Sequence, residues 1–289
     1  MLISLFVPSW IKKHYHPELD IQNISDSFIE EIVKNLADKK PENPVISIGI
    51  IAYNEEQSIL RCISSLAAQE SKYPIEIIVS NNNSTDHTQE LLDKVGVHSV
   101  FQPKQGVGFA RQAIMDVAKG KYLLNGDSDS IYPPTWAHEM VRNLKKNNVS
   151  VVYSMDSYLP DGKRNRFGLS VFEVFRDISL VLRGFNRPEL CVGGSSLGFY
   201  LDQGREFGWN TQILRGEDGA MAFKLKKFGK LKFVNTRRAR VWTTTRSLED
   251  EGNLITIIFQ RFKREVSRIK EYLAPQRKHY ADRDENMIK

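Results

Sequence analysis

Two carboxylates separated by one residue, Asp127 and Asp129, stand in the stretch KYLLNGDSDSIYPP at positions 121–134. Tyr122-Leu123-Leu124 reads as a short apolar strand leading into them. Residues i and i+2 of an extended chain point the same way, so both carboxylates face one point if the extended geometry persists. Like charges so placed repel unless something positive lies between them. A hard divalent cation, Mg²⁺ or Mn²⁺, does this: Mg²⁺ takes one or two carboxylates and completes its shell with water and substrate phosphate oxygens. Asn, Gly, Asp and Ser are also the commonest turn formers, so the same residues read as a polar turn after a strand.

The elements that must position this stretch alternate. Val45 opens a near-continuous apolar run, VISIGIIA, of the kind found in strands buried on both faces. It is followed by Tyr53-Asn54-Glu55-Glu56 and a helix with Ile59, Leu60, Ile63 and Leu66 on one face. Ile75 to Val79 reads as a second buried strand, followed by NNNSTD at 81–86 and a helix through Leu91 and Leu92. Val97 to Phe101 is a third strand, Gly108 to Ala118 a third helix, and Tyr122 to Leu124 the fourth strand. Alternation of this kind predicts a mostly parallel sheet with helices on both faces, joined by right-handed crossovers. Ligands of such sheets sit beyond the carboxyl ends of the strands. The clusters at 53–55, 81–86 and 127–129 each follow a strand, so they are expected to meet at one rim.

Composition narrows the classes. The chain has 289 residues, 41% hydrophobic and 26% charged, ordinary values for a globular protein with a real core. Cys62 and Cys191 are too few for a disulfide framework and too isolated for a zinc site. No apolar run approaches the ~20 residues of a spanning helix. The N-terminal MLISLFVPSWI lacks a basic leader and a small-residue cleavage site, so it is expected to pack on the body. A phosphate-binding GxxxxGK[ST] loop is absent, and Gly106-Val107-Gly108 runs into Arg111 where a dinucleotide fingerprint needs its third glycine. From Lys224 to Arg246 there are nine Lys or Arg and no Asp or Glu. Removing those nine from the net +6 leaves −3 on the remainder, which points to an anionic partner.

The order of motifs resembles the GT-A fold, family 2 glycosyltransferases, from Val45 to about Arg264. The motifs are IAYNEE at 51–56, EIIVSNNNSTDHT at 76–88, GVGFARQAIMDVAKGKYLLNGDSDS at 106–130, GG at 193–194, FGW at 207–209 and GED at 216–218. The resemblance implies an α/β, Rossmann-like, mostly parallel sheet flanked by helices. It implies a nucleotide-sugar half at 45–130 and an acceptor half at 131–248, between an N-terminal appendage with a short helix (1–44) and a C-terminal amphipathic basic helix and tail (249–289). The donor, a nucleoside-diphosphate sugar, is assigned to Ala52, Tyr53, Glu55, Asn81, Asn83, Arg111, Asp127, Ser128 and Arg246. Asp129 is assigned to the divalent cation bridging the diphosphate, and Gly193, Gly194 and Trp209 to a saccharide or lipid-linked saccharide acceptor. Asp218, with Glu217, is implied as the catalytic base of an inverting transfer in surface polysaccharide or glycolipid synthesis. The implied location is cytoplasmic or peripheral on the inner face of the cell membrane, in contact with anionic lipid.

Two departures from the family pattern matter. An acidic residue usual after the second strand is here Asn81, which both donates and accepts; this leaves GDP-sugars open beside UDP-sugars. VWTTTRS at 241–247 holds no histidine, so Arg246 is expected on the diphosphate through its bidentate guanidinium. The Gln-x-x-Arg-Trp signature of polymer-extruding members is absent, which favours a single addition. Capping-box residues Ser27 to Glu30 predict a short helix before Pro41. Residues 249–273 predict a helix of about 37 Å, whose apolar spacing suits either core packing or a lipid surface. The competing class is a non-catalytic nucleic-acid or anionic-surface module using 224–246. It leaves the three rim clusters without a purpose, and Phe233 and Trp242 alone make a poor stacking platform, so no nucleic-acid partner is expected.

Overall fold

The computed structural model describes residues 4–15 and 24–251, with Leu254, Thr256, Ile257, Phe259, Gln260 and Lys263 beyond them. Four parallel strands form its first half: β1 (Ile46–Ala52), β2 (Ile75–Asn81), β3 (His98–Phe101) and β4 (Tyr122–Asp127). Side chains alternate across the pleat, so Ile77 and Leu124 enter one core while Ile78 and Leu123 enter the other. The first core is closed by α1 (Asp26–Ala37), α2 (Ile59–Ala67), α3 (Thr88–Val95) and α5 (Trp136–Leu144). The second is closed by α4 (Val107–Val117), α7 (Leu201–Phe207) and α8 (Glu217–Leu225). Both faces being covered is what lets β1 and β2 read as unbroken apolar runs.

The second half extends this sheet through β8 (Leu197–Tyr200), antiparallel to both neighbours, then β6 (Val149–Tyr153) and β9 (Lys230–Phe233), giving the order β3-β2-β1-β4-β8-β6-β9. A separate small sheet of β5 (Ser130–Ile131), β10 (Val241–Thr243) and β7 (Asp156–Tyr158) lies just beyond β4. Its register sets Thr243 opposite Ser130, so the 241–247 stretch is carried to the carboxylate turn. The long helix α6 (Arg166–Gly184), capped by the Asn165 side chain on the Gly168 amide at 2.8 Å, follows β7.

The helix near the N-terminus starts earlier than its capping box predicts: the cap is Ser25, whose side chain accepts the Phe28 amide, two residues before Ser27. Phe28, Ile29, Ile32 and Leu36 join the main core. The N-terminal stretch packs in part: Ile11 is buried against Ile131, Leu159 and Trp242, while Leu5 and Phe6 are exposed. Most of the helix expected at 249–273 lies outside the described residues. Arg246–Glu251 form a 3-10 helix, and Leu254 and Ile257 pack with Tyr158, Leu169, Phe172 and Leu248. No described helix is long and apolar enough to cross a membrane.

Candidate active site

The loops after β1 and β2 are tied together at the rim. Asn54, in the left-handed region at φ 53°, accepts the Thr85 amide on its side chain at 2.8 Å and donates its own amide to Ser84. The Glu55 amide donates to Thr88 Oγ1 at 2.8 Å. These bonds hold one wall of a 420 Å³ cavity at the carboxyl ends of the strands. Ala52, Tyr53, Glu55, Asp127, Ser128, Asp129 and Arg246 all line it. Tyr53 is half exposed there, its ring free to lie against a ligand.

The extended geometry ends at Asp127, and Ser128-Asp129 form a turn, yet both carboxylates still line the cavity. Tyr132 builds this turn: its hydroxyl accepts the Asp127 amide at 2.8 Å and lies 3.2 Å from the carbonyls of Asp127 and Ser195. A Cβ on Gly126 would stand 2.1 Å from that hydroxyl, which is why the strand carries glycine one residue before the carboxylate. Asp129 accepts from Ser130, Thr243 and Thr244 hydroxyls at 3.2–3.3 Å. Arg246 bridges Glu55, at 2.5 and 3.1 Å, and Asp129, at 3.5 Å. A second cavity of 630 Å³ shares Glu55, Asp129 and Arg246, so this ion pair partitions the two.

Beneath the cavity lies Arg111, 1% exposed. Its Nη2 is 3.4 Å from Asp127, and its Nε is 3.1 Å from Asp218 and 3.7 Å from Glu217. One buried cation thus faces three carboxylates contributed by β4 and the first turn of α8. Burial pushes Asp218 well above the usual carboxylate range against the pull of Arg111, and Glu217 and Asp127 add to the rise. Burial likewise pushes Asp127 up to about 6, opposed by Arg111 and reinforced by Asp129 and Glu217. The Asp127 side chain still presents 37% of its surface to the cavity, so entering water moderates that rise.

Because the folded-state pKa of Asp127 exceeds its unfolded value, its ionised form costs stability above about pH 6, and the cost fades as pH falls toward the unfolded value. Asp127→Asn is therefore expected to raise Tm at pH 7.5, by an amount that shrinks toward pH 5. Thermal melts across that range check this; a lower Tm for the variant at pH 7.5 contradicts it.

Other expected residues fall elsewhere. Asn81 ends β2 with its side chain turned inward, 1% exposed; it donates to Gln89 at 2.8 Å and accepts the Ser84 amide. Asn82 lines the cavity instead. Asn83 sits in the left-handed region at φ 61° within the same loop. Gly193 is open: a Cβ placed there would have nothing within 4 Å, whereas one on Gly194 would meet Arg111 at 2.1 Å and Asp218 at 2.8 Å. Trp209, expected as a stacking face for a sugar, is 5% exposed in the second core, under the Arg111 guanidinium and against Phe199. Its aromatic surface is spent on packing. Tyr132, Asn82, Thr243 and Thr244 are not singled out by sequence; the threonine hydroxyls are matched to the turn only by the pairing of β5 with β10.

Five of the nine cations in the basic run are paired within the chain: Lys226 with Glu189, Lys227 with Glu206, Arg238 with Glu139, Arg240 with Asp177 and Arg246 with Glu55. Among the described residues no trio of His, Cys, Asp or Glu is placed to hold a metal ion. Asp129, a hard oxygen donor facing the cavity, fits a cation whose remaining ligands are water and phosphate.

Residues 47–203 match the model of Glycosyl transferase family 2. Over 208 residues the chain is 28% identical to a chondroitin synthase of Pasteurella multocida, a match covering 66% of this chain and 20% of that protein. Over 114 residues it is 30% identical to an Escherichia coli UDP-Glc:alpha-D-GlcNAc-diphosphoundecaprenol beta-1,3-glucosyltransferase, WfaP, covering 38% of this chain and 45% of that protein. The chain thus spans less than half the length of either relative. Among solved structures, a Pyrobaculum calidifontis mannosyltransferase in complex with GDP-Man and Mn²⁺ superposes with a TM-score of 0.56 at 17% identity, over 75% of this chain and 63% of that one.

Proposed function

The chain belongs to glycosyl transferase family 2 and has its GT-A fold, and from that membership we propose that it transfers a sugar from a nucleoside-diphosphate sugar to an acceptor hydroxyl with inversion. The observation that carries the reading is Arg111, one guanidinium in contact with Asp127 of the cavity and with Asp218 on α8. In this reading the two carboxylates flank one reacting space, Asp127 on the donor side and Asp218 on the acceptor side.

The nucleotide lies in the 420 Å³ cavity against Tyr53, with Ser128 and Asp127 on ribose or sugar. Asp129 would hold a divalent cation, Mg²⁺ or Mn²⁺. When bound, that cation would neutralise the charge that gathers on the diphosphate as the glycosidic bond breaks. Arg246, released from Glu55, turns its planar fork to the phosphate oxygens. The acceptor hydroxyl attacks the anomeric carbon, its proton passes to the Asp218 carboxylate, and the nucleoside diphosphate leaves with the bonding electrons. Burial that raises the proton affinity of Asp218 suits it to this task.

UDP-sugars are the first choice of donor. Asn81 where relatives carry an acid, with Asn82, an amide that both donates and accepts, at the cavity wall, keeps GDP-sugars as the second. The lipid-linked acceptor of WfaP makes a lipid-linked saccharide the acceptor class we favour, and the work cytoplasmic in a cell that builds surface polysaccharide. The internal pairing of the 224–246 cations speaks against a nucleic-acid module. Thermal melts with UDP-, GDP-, dTDP- and CDP-sugars, each with Mg²⁺ or Mn²⁺, test the reading. One nucleotide sugar is expected to raise Tm in a metal-dependent way, since a ligand of the folded state stabilises by mass action; no shift with any of them sinks it.

A further inference from the structure

The outer face of α6 has no part in this site. Phe167, Val171, Phe175, Ile178, Leu182 and Phe185 recur every three or four residues, one side of a helix, and all are exposed, Leu182 at 73% and Phe185 at 90%. The opposite side is committed: Leu169 and Phe172 are core, Glu173 holds Arg166, and Asp177 holds Arg176 and Arg240. The stripe continues past the helix. Arg166 and Ser170 donate to the Ser4 carbonyl, which brings the exposed Leu5 and Phe6 beside the first turn of α6. Single exposed apolar residues are ordinary, but a continuous band along some 28 Å of helix marks a contact surface.

Charge decides the occupant. Glu173, Asp177 and Glu189, the carboxylates of α6 and the turn after it, are buried and ion-paired. At the C-terminal end of α6 a 590 Å³ cavity, walled by Leu180, Val181, Phe185 and Phe233, takes its charge from Lys226 and Lys230. Lys226 reaches Glu189 at 3.0 Å; Lys230 is exposed, with no carboxylate partner among the described residues. Glu189 is shared between Lys226 and Arg187, so with Lys230 this end of α6 keeps a net positive charge. An acidic bilayer neutralises it while its acyl chains take the apolar band.

We propose that α6, with Leu5 and Phe6, lies in the interface of an anionic lipid bilayer, the apolar stripe among the upper acyl chains and Lys226 and Lys230 at acidic headgroups. The surface differs from the 249–273 segment considered from sequence. It rests on the proposed function only for its purpose, delivery of a lipid-linked acceptor. Its test is binding, which does not need turnover.

The full chain is sedimented with phosphatidylcholine vesicles with and without phosphatidylglycerol, and its nucleotide-sugar thermal shift is read in parallel. Sedimentation with phosphatidylglycerol vesicles, weakened by salt, is expected. Leu182→Glu with Phe185→Glu should cost roughly tenfold or more in vesicle affinity, and Lys230→Glu should reduce the dependence on phosphatidylglycerol. Tm and the nucleotide-sugar shift should be unchanged in each, because all three side chains are exposed. Absence of sedimentation, or equal sedimentation of the double variant, overturns the proposal. So does a lipid-free dimer that the double variant dissociates while vesicles go unbound. Vesicle binding with no nucleotide-sugar shift would instead sink the glycosyltransferase reading and leave this one standing.

Discussion

Asp218→Asn is expected to lower transfer by about 10²–10⁴-fold, the usual contribution of a positioned base, while nucleotide-sugar binding stays close to that of the parent. The substitution keeps size and shape but removes the atom that takes the acceptor proton. Asp218 reaches the donor cavity only through Arg111, and Arg111 keeps Asp127 as partner in the variant. Loss by unfolding is not expected. The folded-state pKa of Asp218 is raised, so its ionised form costs stability as pH rises through that value, and an amide avoids the cost. In the parent the base must be ionised, so kcat/KM should climb with pH along a limb lying above the ordinary carboxylate range. Donor titration by calorimetry and initial rates across pH read both quantities. Parental turnover by the variant, or a limb near pH ~4, contradicts the base assignment.

How much of the molecule is legible in its sequence depends on which contacts are local. β1, β2 and β4 are readable because a strand buried on both faces cannot hide its apolar run, and the rim clusters follow from topology alone. The antiparallel β8 is not, since its four residues LGFY are too short a run to show a period. Asn81 illustrates the limit of reading one residue at a time: the last residue of β2 points into the protein while Asn82 lines the cavity, a difference set by the two-residue period of the strand end. Trp209 reads as a sugar platform because an aromatic beside glycine is ambiguous. Its burial is decided by Arg111, nearly a hundred residues earlier, and no periodicity carries that. The same holds for the basic run, whose partners Glu139, Glu189 and Glu206 lie on other elements.

The pair Gly193-Gly194 looks uniform in sequence and is not so in space, which yields the second large effect. Gly194→Ala would set a Cβ 2.1 Å from Arg111 Nη2 and 2.8 Å from Asp218 Oδ2. The tip of an exposed arginine would move aside at little cost. Arg111 cannot: it is 1% exposed, packed over Trp209 and held by Asp127, Glu217 and Asp218. Overpacking of this kind costs about 1–3 kcal/mol, so Tm should fall by several degrees. Displacement of the base by even ~1 Å can cost about 10²-fold in rate, and that is the expected loss. Gly193→Ala, with open space at its Cβ, should melt like the parent, and any effect there should appear in the KM for the acceptor. Adding Arg111→Lys to Gly194→Ala shortens the clashing side chain and should restore part of the Tm. It should not restore the rate, because an ammonium lacks the fork that touches Asp127 and Asp218 together. Rate recovery in the double variant would show that the guanidinium only fills space, and would remove Arg111 from the positioning of Asp218.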